Sequence, residues 1–150
     1  MTAEEGQILP ELVIEVTPTF VVASAIGTRD FQDVHHDKDK AVARGSQDIF
    51  VNILTSTGLV QRYVTDWAGP EAIVRQIAIR LGVPCYAGDT LTFSGRVVEG
   101  AAGASSRGGG ESAPGGGGES KECVVEVVGR CRLGDHVTGT VRLGPAGSAP

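Results

Sequence analysis

Asp30 and His35 stand five positions apart in a run that reads Arg29-Asp30-Phe31-Gln32-Asp33-Val34-His35-His36-Asp37. A carboxylate and an imidazole that share one water molecule can take a proton from it and pass a proton to a nearby carbon. Positioned proton transfer of this kind contributes typically about 10²–10⁴-fold in rate. Two other readings compete for the same run. Asp33, His35, His36 and Asp37 carry metal-ligating groups, but adjacent histidines seldom point at one ion and no third spacing supports them, so no metal is expected. Loops rich in Asp and His are also often plain solvated surface.

The pair needs an element to hold it. Directly downstream, Ile53, Val60, Val64 and Trp67 recur at helical spacing, with Leu59 and Tyr63 beside them. Arg62 is the one charged residue between positions 50 and 65. The spacing predicts a single long helix over residues 50–67, buried on most sides. Thr55, Ser56 and Gly58 are small and would let a sheet approach closely. Asp66 and Gly69-Pro70 close the helix. The partial positive charge and unpaired N–H groups of its first turn, near residues 52–54, would stabilise an oxygen that gains charge. A loop acid, a loop base and a helix start together suit the addition of water to an α,β-unsaturated thioester.

The remaining elements build the support. Residues 12–16 read as a strand. Thr17-Pro18 is an N-cap followed by proline at the first helical position, so a short helix is expected over 18–26, stopped near Gly27. Residues 28–39 read as a loop, and residues 38–44 as one or two helical turns ended by Gly45. After the long helix the period changes to two. Ile77, Ile79, Leu81 and Val83 form one alternating set, and Leu91, Phe93 and Val97 a second. Cys123, Val125, Val127 and Cys131 form a third, and Val137, Val141 and Leu143 a fourth. Four antiparallel strands with one apolar face need a cover, and the helix supplies it. The expected fold is α+β: a single hot-dog domain over residues 1–150, its curved antiparallel sheet wrapped around a long central helix. The insertion at 100–120 holds 9 of the chain's 22 glycines and is expected to be disordered.

Composition narrows the partners. The net charge is -5, and 13 Lys and Arg form no clustered stripe, so nucleic acid is not expected. No run of about 18 apolar residues exists to span a membrane. Glu4 and Glu5 stand near the start with no cationic segment before an apolar run, so no secretory signal is expected and the cytoplasm is. Cys85, Cys123 and Cys131 fit a reducing compartment as core thiols. Eight strand residues would separate Cys123 from Cys131 by roughly 26 Å, too far for a disulfide. No Cys-x-x-Cys pair supports a zinc site.

The run Arg29–Asp37 resembles the hydratase motif of the MaoC-like, R-specific enoyl-CoA hydratase family, Gly-Asp-x-Asn-Pro-x-His-x-Asp. Asp30, His35 and Asp37 fall on its Asp, its His and its final Asp. Arg80-Leu81-Gly82-Val83-Pro84-Cys85-Tyr86-Ala87-Gly88-Asp89-Thr90-Leu91 is similar to the family's strand-turn-strand signature. Both lie in the family's order and spacing. The resemblance implies that Asp30 and His35 are catalytic and that a CoA thioester is substrate, with no cofactor. It also implies that a backbone N–H at Asn52-Ile53, where the family has His-Gly, binds the oxyanion. Arg29 replaces the motif Gly, Gln32 its Asn and Asp33 its Pro. Residues 48–54 and 63–67 are similar to the catalytic chains of a heteromeric branch that acts on steroid-CoA thioesters in actinobacterial cholesterol side-chain degradation. That likeness implies a second MaoC-like hot-dog subunit as partner in an α2β2 assembly, and a three-carbon side chain on the substrate.

Two rival functions remain at this level. Hot-dog thioesterases often carry a carboxylate on the central helix, but residues 53–65 contain no Asp or Glu. A non-catalytic subunit would have no need of both Asp30 and His35.

Overall fold

The computed structural model describes residues 3–100 and 122–144. Apart from Gly100, the insertion expected at 100–120 lies outside them.

The chain starts with a strand, β1 (Leu12–Val16), and turns at once into α1 (Pro18–Gly27). Thr17 caps α1 by accepting Phe20 N–H on Oγ1 at 3.0 Å, with Pro18 in the first turn, where its missing N–H costs nothing. A 3-10 turn, Asp33–His35, interrupts what the sequence reads as a plain loop. Then α2 (Lys38–Ala43) begins at its N-cap, Asp37. The long helix α3 spans Ile53–Ala68 and stops at Gly69, whose φ of 85° only glycine adopts easily. Residues 50–52, read from the sequence as helical, are extended, and Phe50 bridges to Tyr86.

The remaining strands are β2 (Ile73–Leu81), β3 (Asp89–Glu99), β4 (Cys123–Cys131) and β5 (Gly134–Gly144). With β1 they form one antiparallel sheet in the order β1-β3-β4-β5-β2. β1 pairs Leu12 with Phe93 and Val16 with Asp89, so it closes one edge on β3. β2 closes the other edge on β5, with a bulge between Val74 and Gln76. Its inward set is Val74, Ile77 and Ile79. Leu81 is 38% exposed and the strand ends there, short of Val83.

One face of the sheet carries the core: Leu91, Phe93, Val97, Val125, Val127, Val137, Val141 and Leu143. Against it α3 lays Thr55, Ser56, Leu59, Val60, Tyr63 and Val64, a stripe two residues wide at each turn. Tyr63 stacks on Phe93 with ring centroids 5.8 Å apart. Gly95 makes room for that ring: a Cβ there would sit 3.0 Å from Tyr63 Cε1 and 2.9 Å from the Glu126 carbonyl. The helix is not buried on most sides, as its low charge suggests. Ile53 and Leu54 are 51% and 52% exposed. A helix needs only one stripe to cover one sheet face, so its apolar first turn is left open.

Candidate active site

Three short segments deliver three side chains to one place beside the start of α3. The first is the exit of α1. Thr28 ends that helix and donates from Oγ1 to Ser24 O at 2.8 Å. Arg29 then takes a left-handed φ of 57°, and Asp30 N–H returns to Ala25 O at 2.9 Å. Arg29 occupies the position where the family motif has glycine, and the backbone shows why glycine suits it. The second segment is the 3-10 turn, which aims His35 inward until only 6% of the residue is exposed. The third is Asn52, the N-cap of α3.

His35 Nδ1 lies 2.8 Å from Phe50 O. A carbonyl only accepts, so Nδ1 carries a hydrogen and Nε2 is the ring nitrogen left for the reaction. That Nε2 sits 3.4 Å from Asp30 Oδ2. Asn52 Nδ2 donates to the same Asp30 oxygen at 3.1 Å and to Thr28 Oγ1 at 2.8 Å. Its Oδ1 accepts Thr55 N–H at 2.8 Å, which fixes the orientation of the amide. Phe50 packs edge-on against the imidazole, ring centroids 4.9 Å apart. The Asp30 side chain keeps 18% of its surface, so the pair opens to solvent on the carboxylate side.

Asn52 therefore does its work through its side chain. Because its amide takes the Thr55 N–H, the first-turn donors left facing outward are the N–H groups of Ile53 and Leu54, which have no carbonyl four residues back inside the helix. The other residues of the motif run go elsewhere. Asp33 pairs with Arg44 at 3.1 Å and Lys40 at 3.5 Å. Asp37 caps α2 by accepting Lys40 N–H at 3.1 Å. His36 is exposed.

The second signature, residues 80–91, props the site from behind. Gly88 turns with φ 93°, and Asp89 accepts Tyr86 N–H at 3.2 Å and Arg132 Nε–H at 3.0 Å. The turn so formed pairs with residues 49–51: Val51 N–H donates to Cys85 O at 3.0 Å, and Ala87 N–H to Ile49 O at 3.0 Å. That pairing presents the Phe50 carbonyl to His35.

Sequence reasoning missed Thr28, and it missed a buried pair under the first turn of α3. Ser56 Oγ lies 2.8 Å from His136 Nε2 and 3.0 Å from Asn52 O, and His136 Nδ1 lies 2.8 Å from Val83 O. Burial pushes the His136 imidazole below its ordinary pKa, against the opposing effect of the Val83 carbonyl. The available signal was slight: one histidine beside the alternating set of β5. Among the described residues no helix is long and apolar enough to cross a membrane.

No family model matches the chain. It is 58% identical over 138 residues to the 3-oxo-4,17-pregnadiene-20-carboxyl-CoA hydratase beta subunit of Mycobacterium tuberculosis, covering 92% of this chain and 93% of that one. It superposes with a TM-score of 0.78 on a chain of the ChsH1-ChsH2 complex from Mycobacterium tuberculosis, at 57% identity, covering 95% of this chain and 98% of that one. It also shares its fold with the (R)-hydratase from A. caviae involved in PHA biosynthesis, with a TM-score of 0.75 at 18% identity over 95% and 96% of the two chains. Identity at this level over almost the whole length is not reached by shared fold alone, and the chain belongs to the MaoC-like, R-specific enoyl-CoA hydratase family.

Proposed function

We propose that this protein hydrates the α,β double bond of a steroid-CoA thioester with a three-carbon side chain unsaturated at the ring junction, with Asp30 and His35 as its acid–base pair. It acts as the catalytic subunit of a heteromer with a second MaoC-like hot-dog chain, as an α2β2 assembly. It needs no cofactor, the CoA thioester being substrate, and it works in the cytoplasm. The names of the two Mycobacterium tuberculosis relatives, a beta subunit and a two-protein complex, support the substrate class and the partner. Three free cysteines suit a reducing compartment.

The observation that carries the reading is the convergence of His35 Nε2 and Asn52 Nδ2 on one Asp30 oxygen, at 3.4 and 3.1 Å, at the start of α3. In the reaction a water oxygen bonds to the β-carbon, one of its protons passes to the acid–base pair, and the pair returns a proton to the α-carbon. Between these events the thioester oxygen carries enolate charge. The outward N–H groups at Ile53 and Leu54, with the helix dipole behind them, are the donors in reach of that role. Phe50 and the exposed Ile53 and Leu54 give the acyl group an apolar wall.

The test is co-purification with the partner chain, then measured addition of water to steroid and straight-chain enoyl-CoA thioesters. Asp30→Asn and His35→Gln should each lower turnover by about a hundredfold or more without unfolding the protein. Near wild-type turnover in either variant rules the pair out.

A further inference from the structure

We propose that Cys85, Asp89 and Cys131 form a binding site for a soft divalent cation of the zinc class. Their two sulfur atoms and a carboxylate oxygen all lie within 4.8 Å of one another. Two zinc–sulfur bonds of about 2.3 Å at a tetrahedral angle set the sulfurs about 3.8 Å apart, so closing on an ion takes shifts of about 1 Å. The three residues are far apart in sequence, and no spacing motif announces them. Cys85 lies in the turn after β2, Asp89 opens β3 and Cys131 ends β4. Each is therefore held by the sheet or by the turn paired with residues 49–51.

The electrostatics favour a divalent ion. Two thiolates and a carboxylate bring three negative charges and the ion two positive ones. Arg132 supplies the missing positive charge, its Nε already 3.0 Å from Asp89 Oδ1. A buried charge persists only when it is compensated, and this set sums to zero. Tyr86 N–H orients the second carboxylate oxygen, as outer partners of metal ligands commonly do. Cys85 is fully buried, Asp89 nearly so, and Cys131 is half-buried, which leaves a way in from its side. Pro84 O, 3.7 Å from Cys131 Sγ, or a water completes the coordination. On binding, each thiol gives up its proton as its sulfur–metal bond forms, so two protons leave per ion. The site touches no reacting group. It stiffens the turn whose Cys85 carbonyl holds Val51, and so the strand that presents Phe50 O to His35.

The full chain, reduced and stripped with a chelator, is titrated separately with Cd²⁺ and with Zn²⁺. One Cd²⁺ per chain should raise an ultraviolet thiolate-to-metal charge-transfer band, Zn²⁺ should displace it, and two protons should be released. Cys131→Ser and Asp89→Asn should each weaken Cd²⁺ binding about tenfold or more, while Cys123→Ser leaves it unchanged. Absence of the band in the wild-type chain, or unchanged affinity in Cys131→Ser, overturns the site. Should Asp89→Asn fail to fold, Cys131→Ser decides alone, because its side chain is only half-buried.

Discussion

Asn52 joins stability to chemistry, and two substitutions separate the two. Its Oδ1 caps α3 through Thr55 N–H at 2.8 Å, while its Nδ2 ties Asp30 to Thr28. Asn52→Ser keeps a residue that caps as well as asparagine but is too short to reach the carboxylate. Stability should fall by roughly 1–3 kcal/mol, because the bonds to Thr28 and to the Asp30 carboxylate are both lost. A hydrogen bond to a charged group contributes about 1.5–3 kcal/mol, and about 1.4 kcal/mol corresponds to a factor of ten in rate. If the tie to Asp30 is realised fully in the transition state, kcat/KM falls about 10- to 100-fold. Asn52→Leu removes the cap as well. Because residue 52 is only 3% exposed, the Thr55 N–H is then left buried without an acceptor, and stability should fall by roughly 2–4 kcal/mol. Urea unfolding gives the two stabilities, and initial rates on an enoyl-CoA give the two activities. Wild-type kcat/KM in Asn52→Ser would refute the reasoning, since the tie to Asp30 is then idle.

Arg29→Gly should raise the urea midpoint without changing its slope. The left-handed φ of 57° costs an ordinary residue roughly 1–2 kcal/mol, of which glycine's looser unfolded chain returns about 0.5–1 kcal/mol. Asp37→Ala should cost about 1 kcal/mol in chemical unfolding while kcat stays at the wild-type level, because the carboxylate caps α2 rather than facing His35. His136 should make stability depend on pH. Burial holds its folded pKa below the ordinary 6.5, so the unfolded chain takes up the proton first. Stability is then complete above about pH 6.5 and falls as pH drops from there toward the folded pKa, by at most about 1.4 kcal/mol per unit. Urea titrations across that range should show the slope, and His136→Gln should flatten it.

The elements were legible where one local rule decided them. β1 follows from a β-branched run, α1 from Thr17-Pro18, and β4 and β5 from strict alternation. The motif run also marked Asp30 and His35, which do meet, at 3.4 Å. What the sequence left unread depends on partners far along the chain. Asn52 reaches Asp30 across 22 positions and Ser56 reaches His136 across 80, and no periodicity carries such a pairing. Nor did alternation reveal that β2 crosses to the far edge instead of pairing with β3. The long helix was misjudged in one respect. Few charges suggested burial on most sides, yet α3 covers the sheet with a single stripe and leaves Ile53 and Leu54 open.

The strand order has a consequence for how the molecule comes together. β2 is made well before β5, its one neighbour among the described strands, which follows some sixty residues later. Long-range pairings of this kind are slow to close and leave an intermediate with an unpaired strand exposed to aggregation. Removing residues 134–144 should therefore do more than trim an edge: it should leave β2 stranded and turn synthesis of the chain into a source of aggregates.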